Sequence, residues 1–155
     1  MYDYLNFKKL DLHDCRVYSW GIIPEENKLL MDVDWIHSRE LINDKYHLFI
    51  SPATFIFSNV WDIDMDITMN MFLIIDNMEI VSVQKPRNIS VLPKESNEYT
   101  CRINFMEGCI TFRTIDFSII QRKKEIIASN TYFSYDEREG ISLSTEGNVF
   151  RVDLK

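Results

Sequence analysis

Three aspartates, Asp62, Asp64 and Asp66, stand at alternate positions in the run WDIDMDITM (61–69), and Asp32 and Asp34 repeat the spacing in LLMDVDWI (29–36). Carboxylates so placed can ligate a hard cation, share acid–base work, or form the wet face of a sheet. Calcium loops of the EF-hand kind begin D-x-D-x-D. They also need glycine at the sixth position, where the chain curls, and a bidentate glutamate at the twelfth. Those positions here are Ile67 and Leu73. An extended strand sets alternate side chains ~6.6 Å apart, too far for three of them to grip one small ion. No metal ligand is therefore assigned. The alternation instead sends Trp61, Ile63, Met65, Ile67 and Met69 into a core and turns Asp62, Asp64, Asp66 and Thr68 to solvent. Asp32 and Asp34 are read in the same way. Aspartate is a poor strand former, so five on two strands ask for a reason. Either basic residues on neighbouring strands neutralise them, Arg102 and Arg113 being suitable, or they form an exposed ladder for a basic partner.

Other reactive types are thinly spread. His13, Asp14 and Cys15 are adjacent, but neighbours on a strand point to opposite faces, which argues against a working Cys–His dyad. His37 reads as a surface residue and His47 as a partly buried, satisfied one. No pair among these histidines has zinc spacing. The chain lacks GxGxxG, the phosphate-loop GxxxxGK[ST] and GxSxG, and holds four glycines in all. The many carboxylates leave a glycosidase-type acid pair open. No catalytic residue and no cofactor are assigned.

Charge narrows the partners. Lys and Arg number 17 against 24 Asp and Glu, for a net −7. Nucleic-acid phosphates and anionic membranes repel such a surface, whereas a basic protein is attracted to it. The three cysteines are an odd set without CxxC spacing. The opening residues show no secretory signal, and no run approaches the ~20 apolar residues of a membrane helix. A cytoplasmic protein with reduced thiols is expected.

The elements that must position these residues are mostly strands. CRVYSWGII (15–23), the turn PEEN (24–27) and KLLMDVDWI (28–36) read as a hairpin, with Trp20 opposite Met31 and Tyr18 opposite Val33. Residues 37–45 read as a loop with one helical turn. A strand at 46–51 is expected to stop at Pro52. Residues 53–60 read as a buried central strand, and a bend near Ser58–Asn59 leads into 61–69. Residues 72–84 are apolar, with a turn expected at Asp76–Asn77, and 85–98 form a loop. The clearest hairpin joins 99–106 to 109–122 through Glu107–Gly108, which sets Phe105 opposite Ile110 and Arg102 opposite Arg113. Short strands are expected at 131–135, 141–145 and 149–154, and one short helix at 3–12. About eight to ten strands in one domain, 1–155, point to an all-β antiparallel sandwich or partly open barrel.

The segments LHDCRV (12–17), LLMDVDWI (29–36), SPATFIFSNVWDIDMDI (51–67) and GCITFRTIDFSIIQR (108–122) resemble a group of small bacterial β-rich proteins of unassigned function. Some of these lie near polymorphic-toxin genes and are suspected immunity proteins. The resemblance implies a cytoplasmic binding protein and carries over no catalytic residues. The expected function is thus occlusion of a basic partner protein through an acidic sheet face bearing Asp32, Asp34, Asp62, Asp64 and Asp66. Two rivals stand beside it: a small enzyme or ligand binder with a pocket inside the sheet, and a homo-oligomer with a structural role only.

Overall fold

Fifteen residues from Lys28 to Ile42 form one unbroken strand, longer than the whole first hairpin arm expected from the sequence. The computed structural model describes residues 3–68 and 72–155. In chain order the strands are β1 (Asp3–Asn6), β2 (Arg16–Ile23), β3 (Lys28–Ile42), β4 (Lys45–Ser58), β5 (Trp61–Ile67) and β6 (Leu73–Gln84). Then come β7 (Glu98–Phe105), β8 (Gly108–Thr114), β9 (Asp116–Gln121), β10 (Ile126–Ala128), the single helical turn α1 (Tyr135–Arg138) and β11 (Asn148–Asp153). They make one sheet of order β1-β11-β9-β4-β3-β2-β6-β7-β8-β5, with β10 paired to β4. Every pairing is antiparallel except β1 with β11.

The sheet is open but bends over itself. Among the described residues only Arg16↔Ile74 and Val17↔Leu73 pair between β2 and β6, a narrow seam between the two halves. Phe57 of β4 lies 4.7 Å, ring centre to ring centre, from Phe112 of β8 across the core, and stacks at 4.5 Å on Phe117, its neighbour on β9. Two short crossings connect the halves. Asn59, at φ 54°, turns the chain from β4 into β5, at the bend expected near Ser58–Asn59. Ile115 alone separates β8 from β9, and its N–H donates to Ser58 O at 3.1 Å. The Thr114 hydroxyl donates to the same carbonyl at 2.7 Å. One core results, with Leu29, Phe55, Phe57, Ile103, Phe112, Phe117 and Ile119 fully enclosed.

The all-β expectation holds, and several local expectations are corrected. The 37–45 loop is strand on both sides of the pair Asn43–Asp44, at φ 50° and 58°, which closes a two-residue hairpin between Ile42 and Lys45. Asn and Asp tolerate the left-handed region that such turns require. Pro52 does not end its strand. It pairs with Asp34 on the β3 side. On the other side it falls between the β10 partners of β4 (48–50) and the β9 partners (53–58), where a missing N–H breaks no ladder bond. A bulge at Tyr18 places Val17, not Tyr18, opposite Val33, while Trp20 meets Met31 as expected. β6 runs through Asp76–Asn77 with an irregularity in place of a turn. The N-terminal segment is β1 followed by a 3-10 turn (Phe7–Lys9), not a helix. A helix of ten residues is marginal in water. Leu5 from β1, and Phe7 and Leu10 from the 3-10 turn and its end, instead pack on the core. Residues 131–135 and 141–145 form no strands, and α1 is built there on a capping box between Ser134 and Glu137.

In the β7–β8 hairpin the turn is Met106–Glu107, one residue earlier than expected, so Phe105 pairs with Gly108 and Ile103 with Ile110. The slip keeps every side chain on its face and moves Arg102 opposite Thr111. Gly108, at φ 125°, explains it. A Cβ there would stand 2.0 Å from the backbone oxygen of Asp66 on β5, so this position begins the strand against a close neighbour. Gly108→Ala is expected to lower stability by about 1–3 kcal/mol, the usual cost of a side chain forced into this backbone region. Urea unfolding would measure it, and an unchanged midpoint would refute the close approach.

Candidate functional site

The acidic strand β5 is the outermost strand of one flank and, among the described residues, pairs only with β8. Ile63 and Ile67 turn inward and pack on the core, as the alternation requires. Met65, opposite the buried Ile110, lies on that same face but is 36% exposed, because the strand lies at the sheet margin where the core thins. Met69 lies outside the described residues. Trp61 is half-buried under the Arg87 guanidinium, which lies 4.9 Å from its ring centre.

The two explanations for the aspartates divide between them. Asp62 sits in a bulge at φ 52° and binds Arg87 at 2.5 Å and Arg113 at 3.3 Å. Arg113 also reaches the buried Glu98 at 3.7 Å, and Arg102 reaches Glu79 at 3.7 Å. The basic residues of this face are thus flanked by acids, and Asp62 belongs to the structure. Asp64 and Asp66 are exposed, and among the described residues no ion pair reaches them.

Asp32 and Asp34 do not belong to this face. They lie on β3, separated from β5 by β2, β6, β7 and β8, and both are fully buried. The expectation that they meet solvent is corrected. The reason is a cover: residues 129–147 cross the outer face of β3 and β4. Leu143 packs there with Leu30, Ile56 and Ile120. From this cover Arg138, itself buried, donates from Nη2 to Asp32 Oδ1 at 2.7 Å, from Nη1 to Asp32 Oδ2 at 2.9 Å and from Nε to Asp34 Oδ1 at 3.2 Å. Arg122 adds a bond to Asp32 Oδ1 at 2.5 Å. Backbone N–H groups of Ser142 and Phe133 donate to Asp32 and Asp34 at 2.8 Å each. The bulge in β2 aims the Tyr18 hydroxyl at Asp34 Oδ2, 2.7 Å away. Burial, then the bond to Asp34, raises the Tyr18 pKa. Burial works against the Arg138 charge, but Asp32 and then Asp34 outweigh it and raise its pKa. Sequence reasoning missed Arg138, Arg122 and Tyr18. The available signal was two acids embedded in an otherwise apolar run, which suits a paired, buried site better than a wet one.

The remaining reactive side chains are engaged locally. His13 contacts Asp14 at 3.4 Å and the Asp76 carbonyl at 3.0 Å. The Cys15 thiol is buried and accepts from Ile36 N–H at 3.5 Å. Burial pushes its pKa up to about 12, where it is no nucleophile at neutral pH. His37 stacks on Trp35 and shares a 2.6 Å bond with the Ser51 hydroxyl, and burial lowers its pKa. Among the described residues no group of three or more His, Cys, Asp or Glu could hold a metal ion. A cleft of about 450 Å³ opens over the ionic cluster between Pro52, Arg122, Arg138, Ser142 and Ser144. Its cations are already committed, Arg122 and Arg138 to Asp32 and Lys123 to Glu139 at 2.6 Å.

Fold and site together define an open, almost wholly antiparallel all-β protein with an acidic margin strand and an ion-paired outer cover. Comparison with protein-family models, curated proteins and solved structures finds no match for this chain. Among the described residues no helix is long and apolar enough to cross a membrane.

Three outcomes follow from these placements. Arg138→Met strands two enclosed carboxylates and is expected to cost about 3–5 kcal/mol in urea unfolding. Asp64→Asn, at the surface, should change stability by no more than about 0.5 kcal/mol. Burial also pushes the Cys101 thiol from 9.0 to about 12, as it does Cys15. The native thiols keep their protons where the unfolded ones lose them, so this contribution is complete below about pH 9 and fades as pH rises toward about 12. Urea midpoints across that window should fall, and fall less in a Cys15→Ala/Cys101→Ala protein.

Proposed function

We propose that this protein is a non-catalytic binding module that occludes a basic partner protein through the acidic face at β5. The observation that carries the reading is the pair Asp64 and Asp66, exposed and without a countercharge among the described residues, beside an Asp62 that already binds two arginines. Asp62 supports the reading in a second way, since it offers an intramolecular case of guanidinium binding on this strand, with Trp61 stacked on the same arginine. Asp32 and Asp34 take no part, because Arg138 and Arg122 occupy them. The resemblance to suspected immunity proteins suggests the kind of partner: a bacterial toxin whose substrate-binding surface is basic. The net charge of −7 would steer the encounter, an effect worth about 10–10³ in association rate at low ionic strength.

Asp64→Lys/Asp66→Lys is expected to slow association with a partner captured from native cell extract at least tenfold at low salt. The difference should shrink above physiological ionic strength, while the melting temperature stays close to that of the parent. Asp62→Lys, by contrast, should lower the melting temperature, because it sets a third cation against Arg87 and Arg113. Equal association rates for the parent and the double variant would overturn the reading.

A further inference from the structure

We infer that the partner binds by adding a strand to the open edge of β5, and that this strand carries Lys or Arg at alternate positions. The inference rests on the binding function proposed above and specifies its geometry. Its starting point is the backbone. Thr68 N–H donates to Glu107 O at 2.9 Å, on the β8 side. In an antiparallel ladder the direction alternates, so Asp66 and Asp64 also turn their N–H and C=O groups to β8. The 2.0 Å approach of the Asp66 oxygen to a Cβ at Gly108 agrees with that assignment. Met65 and Ile67 therefore direct their N–H and C=O groups the other way, to the open edge. Among the described residues no strand pairs with that edge. Rows of unsatisfied backbone groups are templates for a further strand.

The side chains then select which strand. Residues two apart on a strand are ~6.6 Å from one another, so an added strand repeats the Asp64–Asp66 spacing, and two of its alternate side chains face the two carboxylates. Basic ones are attracted and acidic ones repelled. A second copy of this chain, at −7, is a poor candidate for the added strand. Charged residues on a margin strand usually serve to prevent self-association. Here the same residues leave the edge open to a basic segment. Met65, 36% exposed, offers an apolar contact on the opposite face of the same edge. The other flank is less suited, since its outermost strand, β1, has four residues against seven for β5.

The probe is a seven-residue peptide alternating lysine and valine with blocked ends, added to the full chain at low salt. Hydrogen exchange followed residue by residue should slow at least tenfold at the Met65 and Ile67 amides on saturation, while Asp64 and Asp66, already bonded to β8, change little. Met65→Pro removes one outward N–H and keeps both carboxylates, so it should weaken the peptide at least tenfold, whereas Met65→Leu should not. If Met65→Pro fails to fold, the exchange pattern of the parent protein decides. Peptide that does not bind, or that binds without protecting Met65 and Ile67, overturns strand addition. If in that second case Asp64→Lys/Asp66→Lys still abolishes binding, the acidic-face reading survives without it. Peptide binding indifferent to the double charge reversal refutes both.

Discussion

Two carboxylates on one face of β3 and the guanidinium of Arg138 share a site from which water is excluded, and the C-terminal part of the chain is organised around them. Asp32 and Asp34 would be ruinous in a sheet if left unpaired, because an enclosed charge without partners costs several kcal/mol. Each oxygen instead has at least one donor, and the donors come from β2, from the end of β9 and from the cover formed by residues 129–147. The cover has little apolar content of its own: Leu143 and Phe133 are its chief contributions to packing. Its position is therefore set by charge geometry more than by hydrophobic area. The Tyr18 bulge belongs to the same device, since an unbulged β2 would place Tyr18 beside Val33 and leave Asp34 short of a donor.

That cluster also separates two kinds of acid that look alike in the primary structure. D-x-D occurs in both β3 and β5, and the alternation of apolar and acidic residues is the same in each. On β3 the acid-bearing face is covered and its charges cancel within the molecule. On β5 Asp64 and Asp66 are exposed, and among the described residues no ion pair cancels them. Position in the sheet, central against marginal, determines which outcome applies.

The strand content, the bend at Ser58–Asn59, the Trp20–Met31 pair and the inward set Ile103, Phe105, Ile110 and Phe112 were legible because each follows from period-2 alternation or a strong turn residue. What escaped has a common physical cause: it depends on contacts distant in sequence. Apart from Tyr18, the partners of Asp32 and Asp34 lie about a hundred residues away in the chain, at Arg122, Phe133, Arg138 and Ser142. Pro52 is tolerated only because β9 and β10 divide the outer edge of β4 around it. The N-terminal segment is a strand only because β11 is there to pair with it. The turn at Met106–Glu107 follows from Gly108 approaching Asp66, a neighbour contributed by another hairpin. Of the five acids expected at the surface, the two on β3 were misplaced for the same reason. A cover of polar, irregular chain leaves no periodic trace.

The parallel pairing of β1 with β11 has a consequence for how the molecule is made. Ribosomes deliver the N-terminal residues first, at ~5–20 residues per second. Between the emergence of β1 and that of its partner, on the order of ten seconds elapse. β9 waits for β11 as well, because β11 lies between the two. During translation, then, one whole flank of the nascent sheet is unsealed, and a chain halted short of Asn148 would carry that raw flank for as long as it persisted.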